Sequence, residues 1–241
     1  MTRSRFVAGA ALAPLAPLAP LASRAAAPAG LRDDALFPAA IYEGDWVVRR
    51  KINVMDGDAA AAEAAWRAVG NAGPFEMLKR GTYRTRFVPV RDGPAYGGAA
   101  DKFPAWASDA TGTVAEDRVF ERESRGATAA SWTGEALTFT AGDGRAYSLR
   151  VVDRAVEDIG RGQLGFTETY LVDGGKTAVK LARGYKPAPA APMFGGVEML
   201  TTYDVVDGAV GTVPTSVTKS RLQYERAEVA RRSGFDAGLA K

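Results

Sequence analysis

Apolar and polar positions alternate at period two along most of this chain, beginning in the stretch Ile41 to Val54. Trp46, Val48, Ile52 and Val54 fall on one parity and Val47, Arg49, Lys51 and Asn53 on the other, with Arg50 breaking the inner row. Such a run predicts an antiparallel strand with one buried face. Gly44 gives the backbone a tight entry, and Trp46 supplies a large apolar plug whose indole N–H needs an acceptor. The alternation returns over residues 82–90, 113–123, 129–133, 136–140, 146–154, 165–172, 177–183, 196–206 and 212–225, with Pro89 marking an edge or exit. Five Asp-Gly pairs, at Asp56, Asp92, Asp143, Asp173 and Asp207, punctuate these runs as turns. Only one segment changes period: Asp58 is placed to cap an alanine-rich helix over residues 59–69 that Gly70 ends. The expectation is an all-β fold, an antiparallel barrel of about nine or ten strands with one short helix in the first connection.

Charge changes the picture mainly at the two ends. No acidic residue precedes Asp33, and Arg3, Arg5 and Arg24 flank an apolar, proline-broken stretch. This predicts a targeting leader over residues 1–27, processed near Ala27, then a linker over 28–40, the barrel over 41–226 and a basic tail over 227–241. Pro14, Pro17 and Pro20 interrupt the stretch too often for a spanning helix. The chain carries 31 Lys and Arg against 28 Asp and Glu. Three of the basic residues lie in the leader, so the remainder is balanced and has no electrostatic attraction for nucleic acid.

Absent residue types narrow the chemistry. Without Cys or His there is no thiolate nucleophile, iron–sulfur cluster, His-based triad or His-ligated metal. No metal site and no cofactor is read from the spacing. Two groups remain of interest. Glu116 and Arg118 share a parity opposite Asp117, so a buried Arg118 paired with a carboxylate is suited to an anionic head group, although such trios also form ion pairs on an outer wall. Glu168, between Phe166 and Tyr170 at period two, reads either as an inward carboxylate with a raised pKa or as an exposed charge. Phe87, Phe120, Tyr147, Tyr170 and Tyr203 line a ligand cavity or simply fill a core.

The Gly44-x-Trp46 pair on the first strand, with a basic residue such as Arg221 on the last, resembles the calycin and lipocalin pattern, in which the basic side chain covers the Trp at the closed barrel end. Tyr42-Glu43-Gly44-Asp45-Trp46, Tyr83-Arg84-Thr85-Arg86-Phe87, the run from Val114 to Phe120 and the run from Val197 to Tyr203 resemble an uncharacterised family of lipocalin-like thylakoid-lumen proteins of cyanobacteria, algae and plants. The alanine-rich helix departs from that pattern. The resemblance implies a lipocalin-like barrel in the thylakoid lumen, or otherwise exported, not transmembrane once the leader is removed. The barrel pattern and the missing catalytic side chains point to a non-catalytic protein that binds a small apolar ligand or a protein partner. Two other readings stay open: a barrel enzyme of isomerase or cyclase type working with carboxylates and Tyr, and a structural accessory subunit of a photosynthetic complex.

Overall fold

The computed structural model describes residues 36–89, 113–160, 163–186 and 192–234, all within one compact unit. The expected leader, its processing site and the residues 91–112 between two expected strands lie outside these residues. Eleven strands form one sheet: β1 (Leu36–Pro38), β2 (Gly44–Gly57), β3 (Arg80–Pro89), β4 (Thr113–Glu116), β5 (Thr128–Trp132), β6 (Ala136–Thr140), β7 (Ala146–Gly160), β8 (Gln163–Val172), β9 (Thr177–Lys186), β10 (Met193–Val206) and β11 (Ala209–Arg226). Their order is β1-β4-β3-β2-β11-β10-β9-β8-β7-β6-β5, and every pairing is antiparallel. Four short helices interrupt it: α1 (Ala39–Tyr42), α2 (Ala59–Ala68), α3 (Arg118–Ser124) and α4 (Ala227–Ser233).

The all-β expectation is met by a curled half-barrel. Strands β4 and β9 stand five places apart in the sheet order, which would separate them by about 24 Å if the sheet were flat. Yet Arg183 on β9 lies 2.8 Å from Glu116 on β4, so the sheet must curl until its inner faces meet. The turns follow from residue type. Asp207 and Gly208, both at positive φ, make the two-residue turn between β10 and β11, and the four-residue turn between β8 and β9 carries positive φ at Asp173, Gly174 and Gly175.

One end is closed by aromatics. Phe37, Tyr42, Phe87, Phe166, Tyr185 and Phe194 meet with ring centroids 5.2–6.2 Å apart, and Trp46 packs edge-on to Phe194 at 4.8 Å. The Trp46 indole N–H donates to the Tyr42 carbonyl at 2.7 Å, meeting the need for an acceptor. Because Phe37 is fully buried here and β1 pairs with β4, the expected linker over 28–40 already contributes a strand to the sheet. The expected tail likewise forms α4, whose Ala227 and Ala230 cover Val47 on the outside of β2.

The cation over Trp46 is Arg226, 4.2 Å from the ring centroid, and not Arg221. Arg221 is exposed and stands opposite Lys51 and Val197. Leu222 and Tyr224 take the inward positions of β11, and Arg226 reaches Trp46 because it is that residue's register partner at the strand end. Gly44, at φ +112°, takes a backbone conformation that L side chains rarely adopt, and a Cβ there would push aside the Arg226 guanidinium, 2.7 Å away. Two further departures have local causes. A bulge between Lys219 and Ser220 leaves Asn53 unpaired and turns Val54 outward. The strand expected over 113–123 stops at Glu116, because Asp117 accepts the Phe120 N–H at 2.9 Å and starts α3.

Candidate functional site

Above the aromatic end the interior is ionic. Strands β2, β8, β9 and β10 each place one charged residue on the inner face between apolar neighbours: Arg50 between Val48 and Ile52, Glu168 between Phe166 and Tyr170, Arg183 between Leu181 and Tyr185, and Glu198 before Leu200. All four are buried. Glu116 closes β4, and α3 turns Arg118, Glu121, Arg122 and Arg125 inward, all at 6% exposure or less. Arg118, Glu121 and Arg122 of α3 and its C-cap Arg125 recur at helical spacing, so one face of the helix enters the barrel.

Arg183 is the hub. Its Nε donates to Glu198 at 2.9 Å, its Nη1 to Glu116 at 2.8 and 3.0 Å, and its Nη2 to Glu121 at 2.8 Å. One guanidinium thus ties β9 to β10, β4 and α3. Glu116 also accepts from Thr85 at 3.1 Å. Around Glu121, Arg125 forms a close ion pair and Arg122 stands at 3.2 Å. Arg50 reaches Glu198 at 3.3 Å and the Asn71 side-chain oxygen at 2.6 Å, an oxygen that also accepts from Arg125. Arg50 stacks on Trp66 at 3.7 Å and Arg125 on Tyr83 at 3.8 Å. Trp66 of α2 therefore points into the barrel and covers the arginines.

A second group surrounds Glu168. Arg118 grips it with two bonds of 2.6 and 2.8 Å, Arg154 donates Nε at 2.6 Å, and the Tyr170 hydroxyl also donates to it. Trp132 of edge strand β5 lies 4.7 Å from Arg118 and 5.5 Å from Arg154. A bulge at Val152 shifts the parity of β7 and sets Arg154 opposite Glu168. This group joins the start of α3 to β7 and β8.

Titration divides the four glutamates. Burial pushes Glu168 up, but Arg118, Arg154 and the Tyr170 hydrogen bond outweigh it and hold the carboxyl below its ordinary value. The reading of Glu168 as a carboxylate with a raised pKa is therefore corrected: it is inward, but fully engaged as an anion. Burial also acts on Glu121 and Glu198, and is outweighed by Arg125, Arg183 and Arg122 at the first and by Arg183, Arg50 and Arg125 at the second. Glu116 behaves differently. Burial, helped by the negative charge of Glu121, outweighs Arg183 and Arg118 and raises it to about 7. Burial also lowers Arg50 to about 10, which leaves it charged at neutral pH.

Arg118, Glu168 and Tyr170 come together as one site, and Phe87 belongs to the aromatic end. Phe120 faces away from the interior, half-buried over Arg86 at 4.5 Å. Tyr203 sits half-buried beside the irregular pairing of β10 with β11, apart from the cluster. Tyr147 stacks on Phe139 at 5.4 Å, and the pair lines an open groove of about 450 Å³ with Thr138, Ala146 and Asp173. The central residues Arg183, Glu198, Glu121, Arg122, Arg125 and Asn71 were not among the expected site residues. The signal available for the strand residues was a charge at inner parity between apolar neighbours. Among the described residues no three carboxylates stand together as a metal site, and no helix is long and apolar enough to cross a membrane.

Comparison with protein-family models, with curated proteins and with solved structures finds no match. The fold defines the class, an all-β antiparallel half-barrel, and the functional reading rests on the geometry of its interior.

Proposed function

We propose that this chain is a non-catalytic, exported or thylakoid-lumenal binding protein that holds a small molecule carrying an acidic group. The observation that carries the reading is the charge of the central interior. Among the described residues Arg50, Arg122, Arg125 and Arg183 meet Glu116, Glu121 and Glu198, four guanidiniums against three carboxylates, all buried. An unbalanced buried charge is expensive, and an acidic ligand offsets it. The Phe139 ring tip lies beside Gly70, so the aromatic core reaches the edge of this charged group, and Phe139 and Tyr147 themselves are buried. An acid–base enzyme built on Glu168 is the weaker reading, because that carboxylate is held low and fully bonded. The acid-free opening segment supports export.

A second reading, an accessory subunit of a photosynthetic complex, is favoured by the exposed apolar side chains Met193 and Val197 on the outer face of β10. Native mass spectrometry of the protein purified from its host, followed by organic extraction, separates the two. The binding reading expects a stoichiometric small molecule bearing a carboxylate or phosphate. A stoichiometric protein partner with no small molecule would put the accessory reading first.

A further inference from the structure

The acidic group of the bound molecule can be given a place in the fold, an assignment that rests on the binding reading. The C-terminal turn of α2 brings Trp66, Gly70 and Asn71 against Arg50 of β2 and Arg122 and Arg125 of α3. The contacts are the stacking of Arg50 on Trp66, the bonds from Arg50 and Arg125 to the Asn71 oxygen, and the approach of Arg122 to Gly70. That last approach needs glycine. Gly70 has φ +82°, and a Cβ there would fall 2.3 Å from Arg122 Cδ.

In this corner six buried nitrogens have no hydrogen-bond partner among the described residues: Nε of Arg50, Nε and Nη1 of Arg122, Nε of Arg125, Nδ2 of Asn71 and Nε1 of Trp66. Arg122 Nη1 stands at ion-pair distance from Glu121, 3.2 Å, without hydrogen-bond geometry. Every one of the six is a donor. The Asn71 amide is oriented by its two arginine partners, so its nitrogen is the end left over. Buried donors left unpaired are costly, and native interiors rarely keep several together. Water answers such a group poorly, because each water brings hydrogens that need acceptors of their own. An acceptor-only anion satisfies the donors and balances the extra guanidinium together.

We propose that the corner formed by Arg122, Asn71, Trp66, Arg50 and Arg125 is a binding site for an oxyanion, the carboxylate or phosphate head of the ligand. The planar forks of arginine match both heads in geometry. Gly70 is the residue that lets Arg122 enter, and Trp66 is the cover.

The test uses the full chain in an anion-poor buffer, with inorganic phosphate, acetate and chloride as probes and calorimetric titration as the readout. Saturable one-to-one binding of phosphate or acetate is expected, and the stronger of the two identifies the head. Arg122→Gln and Asn71→Asp should each weaken it at least tenfold, while Arg221→Gln, on the outer face, should leave it unchanged. Asn71→Asp carries its own control, because the new carboxylate supplies the missing acceptor. Its melting temperature without added anion should be no lower than that of the parent, which keeps the test valid if Arg122→Gln fails to fold. Absence of saturable oxyanion binding, equal binding in Asn71→Asp, or chloride binding as tightly as the oxyanions would each overturn the site. A small molecule recovered from the host protein together with unaltered oxyanion binding in these variants overturns this corner and leaves the binding reading standing. A host protein without a small molecule and without oxyanion binding overturns both.

Discussion

Replacing Arg183 by Met removes the cation that three buried glutamates share. The loss falls unevenly among them. Glu198 keeps Arg50 at 3.3 Å, and Glu121 keeps Arg125 and Arg122. Glu116 is left with the Thr85 hydroxyl at 3.1 Å as its hydrogen-bonding neighbour. Breaking a buried pair by deleting one partner costs about 3–5 kcal/mol, because the other charge stays behind unpaired. Above pH 7, where the parent's Glu116 is ionised, most of that penalty belongs to Glu116, and at about pH 9 the double variant Arg183→Met, Glu116→Gln should recover about 1–3 kcal/mol of it, a coupling that a double-mutant cycle isolates. Urea unfolding of the parent, the two single variants and the double variant measures all four terms. A loss below about 1 kcal/mol for Arg183→Met, or a double variant no more stable than the single, would refute the claim that Arg183 holds the interior together.

Trp46→Ala should cost about 3–5 kcal/mol in the same assay. Arg226→Ala should cost about 0.5–2 kcal/mol, from the cation–π contact, and Arg221→Ala no more than about 0.5 kcal/mol; a larger loss at Arg221 than at Arg226 would reverse the assignment of the residue over Trp46. For pH, the folded Glu116 holds a proton up to about 7, whereas the ordinary value is 4.5. Its contribution is fully present below pH 4.5 and lost as pH rises through about 7. Glu121, Glu168 and Glu198 are held low, so theirs is present above pH 4.5 and lost as pH falls below it. The melting temperature should therefore peak in the mildly acidic range between these limits. A melting temperature that climbs steadily through pH 7 would contradict the assignment at Glu116.

Period-two patterning and Asp-Gly turns were sufficient to place most strands of the sheet, because a half-buried strand must alternate and a tight antiparallel turn must admit positive φ. The capped helix α2 was legible for the same kind of reason: Asp58 accepts the Ala61 N–H at 2.8 Å, a contact only three residues long. Arg50 was visible as a break in an apolar row, and Arg118 and Glu168 as charges worth noting. Their partnership was not visible, since it joins residues 50 apart in sequence across strands that approach only when the sheet curls.

Bulges at Asn53 and Val152 decided which side chains face inward, and one extra residue in a strand leaves no mark on the alternation before it. The stretch from Arg118 to Arg125 shows how the two levels diverge. A row of charges at helical spacing ordinarily faces water. Here the same row faces the interior, because Arg183 and Glu168, supplied by β9 and β8, are there to receive it. Local sequence determined that α3 could form once Asp117 capped it. Only the tertiary arrangement determined that its charged face would be the buried one, because the energy of a buried charge is set by partners that the chain delivers from a distance.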